Sequence, residues 1–216
     1  MKLIISLALL SQPTWALDIP LQLDQWQTLT YKSIPPNTTT QLEDSLVIDV
    51  SASASPLIYV LDSTQTIKYI TVTGNAKGLP AIPNGLKQGD KGADDFPFRI
   101  GLVLAGDQTL GFAQKLIAAD WIKTLFKLAP KGSGIDHVKF LNLKNSDAST
   151  SWQSRSHPSS KGLFQETIVG SIEDKQTFNL NHQLDEAAEV IALWISIDGD
   201  DTNSTYQLIL NSISLN

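Results

Sequence analysis

Residues 87–105 read K-Q-G-D-K-G-A-D-D-F-P-F-R-I-G-L-V-L-A, and the second half of this stretch alternates between two faces. In an extended strand, successive side chains point to opposite faces. One face then carries five large apolar residues: Phe96, Phe98, Ile100, Leu102 and Leu104. The other carries Pro97, Arg99, Gly101, Val103 and Ala105. A strand with so apolar a face needs a covering layer, so the pattern predicts a core strand of a layered β protein.

Other stretches on both sides repeat the alternation. Residues 56–61 form a mostly apolar run, residues 67–73 are rich in Ile, Tyr, Val and Thr, and residues 62–64 between them predict a turn. Near the C-terminus, one face of the strand at 190–198 carries Ile191, Leu193, Ile195 and Ile197. The next strand changes phase after Leu210, which predicts a bulge near residues 211–212.

Residues 110–128 depart from the strand pattern. Their apolar side chains recur at helical spacing, and Pro130 and Gly132 follow as stop signals. This pattern predicts one inserted amphipathic helix, packed against the protein's own sheet or, alternatively, against a membrane surface or a partner.

The chain lacks the strand–helix–strand rhythm of a parallel sheet. Many short strands with a single helix favour a mainly β fold, an antiparallel two-sheet β-sandwich of jelly-roll type. The 200 residues from 17 to 216 suit one domain, because all-β domains often reach about 200–250 residues.

The N-terminus has the pattern of a secretory signal peptide. Met1 and Lys2 give a positive start, residues 3–10 are almost wholly apolar, and Ala16 is suited to cleavage. We therefore expect export to the periplasm or the cell exterior. Since no later segment approaches the ~20 apolar residues of a membrane helix, we expect no membrane span.

Charge and composition exclude several function classes. A formal net charge of −6 disfavours nucleic acid and anionic membrane surfaces as partners. The chain has no cysteine, so it forms no disulfide. It also contains neither an H-E-x-x-H motif, nor a G-x-S-x-G motif, nor a phosphate loop, and the sequence assigns no catalytic residue.

Four residues are candidates for ligand binding: Asp95, Arg99, Trp152 and Arg155. If the strand extends back to Asp95, this carboxylate shares the face of Arg99, either as part of a ligand site or as a structural salt bridge at the sheet rim. Trp152 lies in a polar loop beside Arg155, where an exposed ring would stack on a sugar; the alternative is a core position.

A second candidate lies in the connection between the last two strong strands. Four residues there carry the oxygen ligands that calcium prefers: Asp198, Asp200, Asp201 and Asn203. The alternative is that Asp, Gly and Asn only form the turn.

Three blocks recur in the order found in one family. They read S-A-S-A-S-P-L-I-Y at 51–59, K-G-A-D-D-F-P-F-R-I-G-L-V-L at 91–104 and A-L-W-I-S-I-D-G-D-D-T-N-S-T at 192–205. The chain thereby resembles a group of exported bacterial proteins called domain of unknown function 3047. It departs from the family pattern at Ala93 and in the acidic repeat at 198–203. The resemblance implies export and a β-sandwich, and it brings no known activity.

Three functions fit these expectations. The first is a non-catalytic exported module that binds a carbohydrate or another cell-envelope ligand. The second is a polysaccharide hydrolase or lyase that uses carboxylates at the sheet rim. The third is a structural envelope protein.

Overall fold

The computed structural model describes residues 16–111, 116 and 118–216. The expected signal peptide therefore lies almost wholly outside the described residues, and both the cleavage site and the domain 17–216 stay predictions. None of the described helices has the length and apolar character that a membrane crossing requires.

The described chain is mainly β, as predicted. The strands are β1 (Leu17–Asp18), β2 (Gln27–Thr28), β3 (Thr38–Leu42), β4 (Ser45–Ser51), β5 (Leu57–Lys77), β6 (Phe98–Gly106), β7 (Gly134–Asn145), β8 (Ser154–Ser156), β9 (Phe164–Ile172), β10 (Thr177–Ser196) and β11 (Thr205–Leu215). A 3-10 turn occupies Leu23–Gln25, and a helix, α1, spans Asp120–Lys127.

Strand pairing divides the molecule into two layers. The first layer has the order β3, β4, β11, second half of β5, first half of β10. The second layer has the order first half of β5, second half of β10, β6, β7, β9, β8. Most pairs are antiparallel, whereas β7 and β9 are parallel. Strands β5 and β10 run through both layers, and this mainly antiparallel two-layer arrangement is the β-sandwich of jelly-roll type that the sequence predicted.

A continuous core fills the space between the layers. Strand β6 contributes Phe98, Ile100 and Leu102 from the second layer, and each is 0% exposed. They belong to the same cluster as the inward residues of β4 and β11 in the first layer. The alternation along β6 is therefore confirmed, with Val103 on the opposite face.

One face assignment near the C-terminus is wrong. The pairing of β10 with β6 skips Ile191, which marks a bulge between Val190 and Ala192. The bulge shifts the phase of the strand by one residue, so Ile191 packs on the outer face with Trp194. The bulge predicted near residues 211–212 is confirmed, since the pairing of β11 with β5 skips Asn211.

The predicted turn at 62–64 is also wrong. The chain does not reverse there: β5 runs unbroken for 21 residues, and residues 62–64 are exposed as it passes from one layer to the other. A bend in a continuous strand exposes the same polar residues as a turn, and composition does not distinguish the two.

The helix predicted at 110–128 is confirmed in its second half. Helix α1 begins at Asp120 and ends at Lys127, and its buried Leu125 packs on the outer face of the second layer. Leu110 lies outside the helix, and residues 112–115 and 117 are not among the described residues.

Candidate functional site

A pocket of about 390 Å³ opens on the outer face of the second layer. Its floor is formed by side chains of β6, β7, β9 and β10, and its walls come from the segment before β3, from α1 and from four loops. The residues that line it are Tyr31, Ile34, Ala54, Asp94, Asp95, Arg99, Trp121, Phe140, His157, Ser159, Ser160, Phe164, Glu166, Trp194, Ser196, Asp198, Asp200 and Asp201.

Arg99 stands at the polar end of this pocket. Its alternation on β6 directs the guanidinium to the outer face, where Nη1 lies 2.8 Å from Oδ2 of Asp198. Nη2 lies 3.4 Å from Oδ1 of Asp94 and also donates to the backbone carbonyl of Asp94, while Nε lies 3.9 Å from Oε1 of Glu166. The residue is only 9% exposed, so three carboxylates hold one buried cation in place.

Arg155 binds two of the same carboxylates from the other side. Its Nη2 lies 2.7 Å from Oδ1 of Asp94, and its Nε lies 2.6 Å from Oε2 of Glu166. The guanidinium lies over the Trp152 ring, 4.1 Å from its centroid. Trp152 and Arg155 are therefore adjacent, as the sequence suggested, but neither is among the lining residues in the described chain. Arg155 instead binds Asp94 and Glu166, which do line the pocket, and Trp152 packs against Arg155.

His157 completes the cluster, and sequence reasoning missed it. Its Nε2 lies 3.1 Å from Oδ2 of Asp94, and its Nδ1 accepts a hydrogen bond from the backbone N–H of Ser159 at 3.2 Å. Only its place beside Arg155 in the same polar loop could have indicated it, because the sequence spacing to Asp94 gives no signal.

Burial and ion pairing shift the pKa values of these groups in opposite directions. Desolvation raises the pKa of Asp198 to about 6, against the lowering effect of Arg99 and the hydrogen bond from Ser196. Desolvation also acts to raise the pKa of Asp94, but the hydrogen bond with His157 and the two arginines together lower it. For Arg99, desolvation is outweighed by the surrounding carboxylates, which raise its pKa.

The expected pairing of Asp95 with Arg99 is wrong. Asp95 is 1% exposed, and its carboxylate accepts hydrogen bonds from the backbone N–H of Thr202 at 2.7 Å and from the Thr202 hydroxyl at 2.6 Å. The parity argument failed because β6 begins at Phe98, so the two preceding aspartates are not part of an alternating strand. The structure instead places Asp94 against Arg99, and Asp95 anchors the 198–203 loop.

The acidic loop at 198–203 divides between the pocket and the surface. Asp198, Asp200 and Asp201 line the pocket, whereas Asn203 does not. Asn203 has φ of +52°, a left-handed conformation that asparagine tolerates in turns. Asp198 is engaged by Arg99 and by the Ser196 hydroxyl at 2.8 Å. Within the described ranges no group of three or more His, Asp or Glu side chains could hold a metal ion, and calcium at this loop stays a prediction.

Aromatic rings form the opposite end of the pocket. Trp121 of α1 lies 5.0 Å from Phe164 of β9, and Phe164 lies 5.1 Å from Phe140 and 5.7 Å from Trp194, centroid to centroid. Trp194 and Phe140 are buried beneath, whereas Trp121 and Phe164 are partly exposed. Tyr31 adds a further ring from the segment before β3.

A glycine on β6 makes room for this aromatic floor. Gly101 pairs with Phe140, and a Cβ atom at Gly101 would lie 2.7 Å from Cε1 of the Phe140 ring. A larger residue would push the ring aside. The sequence analysis assigned none of these five rings to a site. The signal that it missed is that Trp194 and Phe140 are out of phase with the inward residues of their strands.

We expect the free energy of unfolding to fall as pH rises from about 4 to about 6. Desolvation raises the folded-state pKa of Asp198 to about 6, above the ordinary value of about 3.9. Folding then favours the protonated carboxyl, so this contribution is fully present below about pH 4 and is lost as pH rises through 6. Urea denaturation at several pH values measures it.

The variant Asp198→Asn is the control for this pH dependence. It cannot titrate, and its stability curve should be flatter between about pH 4 and pH 6 than that of the wild type. A wild-type stability that stays constant or increases across this interval would contradict the prediction.

No protein-family model and no curated protein matches the chain, so the resemblance to domain of unknown function 3047 stays a prediction. Solved structures do match. One is the enzymatically active domain of tailspike protein 4 from bacteriophage CBA120, with 11% identity and a TM-score of 0.39. The match covers 91% of this chain but only 20% of the tailspike chain.

Two further matches extend over nearly the whole of both chains. A family 11 carbohydrate-binding module from Clostridium thermocellum, in complex with a β-1,3-1,4-mixed-linked tetrasaccharide, has 7% identity and a TM-score of 0.43, with 93% and 94% coverage. A low-affinity xylan-binding module from Roseburia intestinalis has 8% identity and a TM-score of 0.38, with 94% and 96% coverage.

Proposed function

We propose that this protein is an exported carbohydrate-binding β-sandwich whose pocket on the second layer holds a neutral sugar. The observation that carries the proposal is the division of one pocket into an aromatic end and a charged, hydrogen-bonding end. Trp121 and Phe164 belong to the first, and Arg99, Asp94 and Asp198 to the second.

A sugar ring matches both ends. Its C–H face packs on aromatic rings, while its hydroxyl groups donate to carboxylates and accept from guanidinium groups. The volume of about 390 Å³ lies within the roughly 300–1,000 Å³ of small-molecule pockets, where a few placed polar groups determine orientation.

The charge of the pocket favours an uncharged ligand. Acidic side chains outnumber basic side chains in the lining. The basic ones are Arg99 and His157, and the acidic ones are Asp94, Asp95, Glu166, Asp198, Asp200 and Asp201. Arg99 is already surrounded by three carboxylates, so it offers little attraction to an anionic group. Uronate or sulfated sugars should therefore bind more weakly than neutral sugars.

The polar end is rigid before any ligand arrives. Asp198 is held at one oxygen by Ser196 and at the other by Arg99, and Glu166 is 2% exposed with bonds to Asn142 and Arg155. Preorganised groups lose little freedom on binding, which favours recognition.

Trp121→Ala should reduce the affinity for neutral polysaccharide about 10- to 100-fold. The variant removes the partly exposed ring at the aromatic end, and truncating a central aromatic anchor of a binding site costs about 2 kcal/mol or more. Retention of the mature protein on xylan, mixed-linked β-glucan and polygalacturonate would be measured, with calcium and with chelator.

The control is Tyr69→Ala, which removes a 47% exposed aromatic that does not line the pocket. It should leave retention unchanged. Equal retention of the wild type and Trp121→Ala on the polysaccharides would place the binding surface elsewhere. Loss of wild-type retention when chelator is added would support calcium binding at the 198–203 loop.

A polysaccharide hydrolase or lyase is the second candidate, favoured by one observation. Desolvation raises the pKa of Asp198 to about 6, as expected for a group that donates a proton near neutral pH, and it also raises the pKa of Asp200 in the same pocket. The same incubations test it. New reducing ends that disappear with Asp200→Asn would establish an enzyme; retention without products would support the binding module.

A further inference from the structure

A second cavity adjoins the pocket beyond its aromatic end. It also measures about 390 Å³, and its lining consists of Thr30, Tyr31, Lys32, Ala118, Ala119, Asp120 and Trp121. Tyr31 and Trp121 line both cavities, so the two spaces meet at this pair of rings.

We propose that the two cavities are consecutive subsites of one groove, which binds a linear oligosaccharide of at least two neutral units across the Tyr31–Trp121 pair. This inference rests on the proposed function and specifies its ligand. The ligand is an internal stretch or an end of a polysaccharide rather than a free monosaccharide. A ring shared by two cavities offers a stacking surface to the units on either side of it.

The chemistry of the second cavity differs from that of the first. It contains Lys32, which is exposed and has no hydrogen-bond or ion-pair partner among the described residues, and the exposed hydroxyl-bearing Thr30. The carboxylate of Asp120 is 91% exposed and pairs with Lys123 at 3.1 Å. This cavity is thus nearly balanced in charge, and its groups suit the hydroxyls of an uncharged sugar.

The start of α1 supplies further donors. The residue before the helix is Ala119, whose side chain makes no capping hydrogen bond, so the first N–H groups of α1 lack a side-chain acceptor. Both Ala119 and Asp120 line the cavity, and a sugar hydroxyl oxygen there would satisfy one of these donors.

The combined volume of the two cavities favours an oligosaccharide over a single sugar unit as the ligand. Each cavity reaches the lower part of the volume range of small-molecule sites, roughly 300–1,000 Å³, and together they exceed what one sugar ring occupies. A monosaccharide would leave one side of the Tyr31–Trp121 pair in water.

Calorimetric titration with xylo- and cello-oligosaccharides of one to six units tests the inference. Affinity should rise at least about tenfold between one unit and two or three, and then level off once both cavities are filled. Thr30→Trp, which fills the second cavity from an exposed position, should abolish this rise.

Lys32→Ala provides a milder test that leaves the cavity open, with the exposed Lys131→Ala as its matched control. The former should lower affinity for three units about three- to tenfold, and the latter should not change it. Wild-type affinity that is independent of chain length, or a rise that survives both Thr30→Trp and Lys32→Ala, would overturn the groove while leaving the pocket proposal intact. Absence of binding at every length would overturn the proposed function itself.

Discussion

Replacement of Arg99 by methionine is expected to lower the free energy of unfolding by about 3–5 kcal/mol. The variant removes the cation at the centre of three carboxylates and keeps an unbranched side chain of comparable length. Asp198 is 6% exposed, so water cannot replace its lost partner, whereas Glu166 and Asp94 still bind Arg155. Breaking a buried ion pair at one side leaves uncompensated buried charge, which is far more costly than the pair itself is stabilising.

Guanidinium denaturation followed by circular dichroism measures this change. Lys131→Met, at an exposed position, is the matched control and should stay within about 0.5 kcal/mol of the wild type. A second comparison uses Asp198→Asn together with Arg99→Met. If uncompensated charge causes the loss, the double variant should be less destabilised than the sum of the two single variants. A loss below about 1 kcal/mol for Arg99→Met would contradict the buried network.

Phe98→Ala should cost about 3–5 kcal/mol as well, for a different reason. Phe98 is 0% exposed at the start of β6, and its ring centroid lies 5.4 Å from that of Phe178 on the opposite layer. Truncation removes the burial of a large apolar side chain and leaves a cavity between the layers, because close-packed strands collapse only in part.

Thermal and urea unfolding would compare Phe98→Ala with Tyr69→Ala. Both variants remove an aromatic ring from a strand, but Tyr69 is 47% exposed and its loss should cost about 1 kcal/mol or less. The ligand affinity of folded Phe98→Ala should remain close to that of the wild type, since Phe98 does not line the pocket. Similar stability losses for the two variants would show that β6 is not at the centre of the core.

Hydrophobic periodicity predicted the layered fold because burial follows local rules along a strand. The inward face of β6, the bulge at Asn211 and the C-terminal part of the helix are confirmed. The assignment of residues to faces by periodicity was wrong wherever irregular backbone interrupts a strand or precedes it. The bulge at Ile191 reversed a face, and the non-strand conformation before Phe98 exchanged the roles of Asp94 and Asp95.

The site was predicted only in part, since it depends on contacts between distant segments. The sequence indicated Arg99 and the acidic loop as two separate candidate sites, and the structure brings Arg99 and Asp198 together in one pocket. The rings of Phe140, Phe164 and Trp194 come from β7, β9 and β10, and they meet on the outer face of the second layer. Their separate positions in the sequence give no sign of this meeting, and each alone resembles an ordinary core residue.

The passage of β5 and β10 through both layers has a consequence for cooperativity. Each is a single strand of 20 or more residues whose two halves are paired in different layers. If one layer loses its hydrogen bonds, β5 and β10 are loosened in the other layer as well. We therefore expect the pocket and the opposite layer to unfold as one unit. Folding must also bring together partners far apart in sequence, because residues near 58 pair with residues near 194, and such non-local closure is slow.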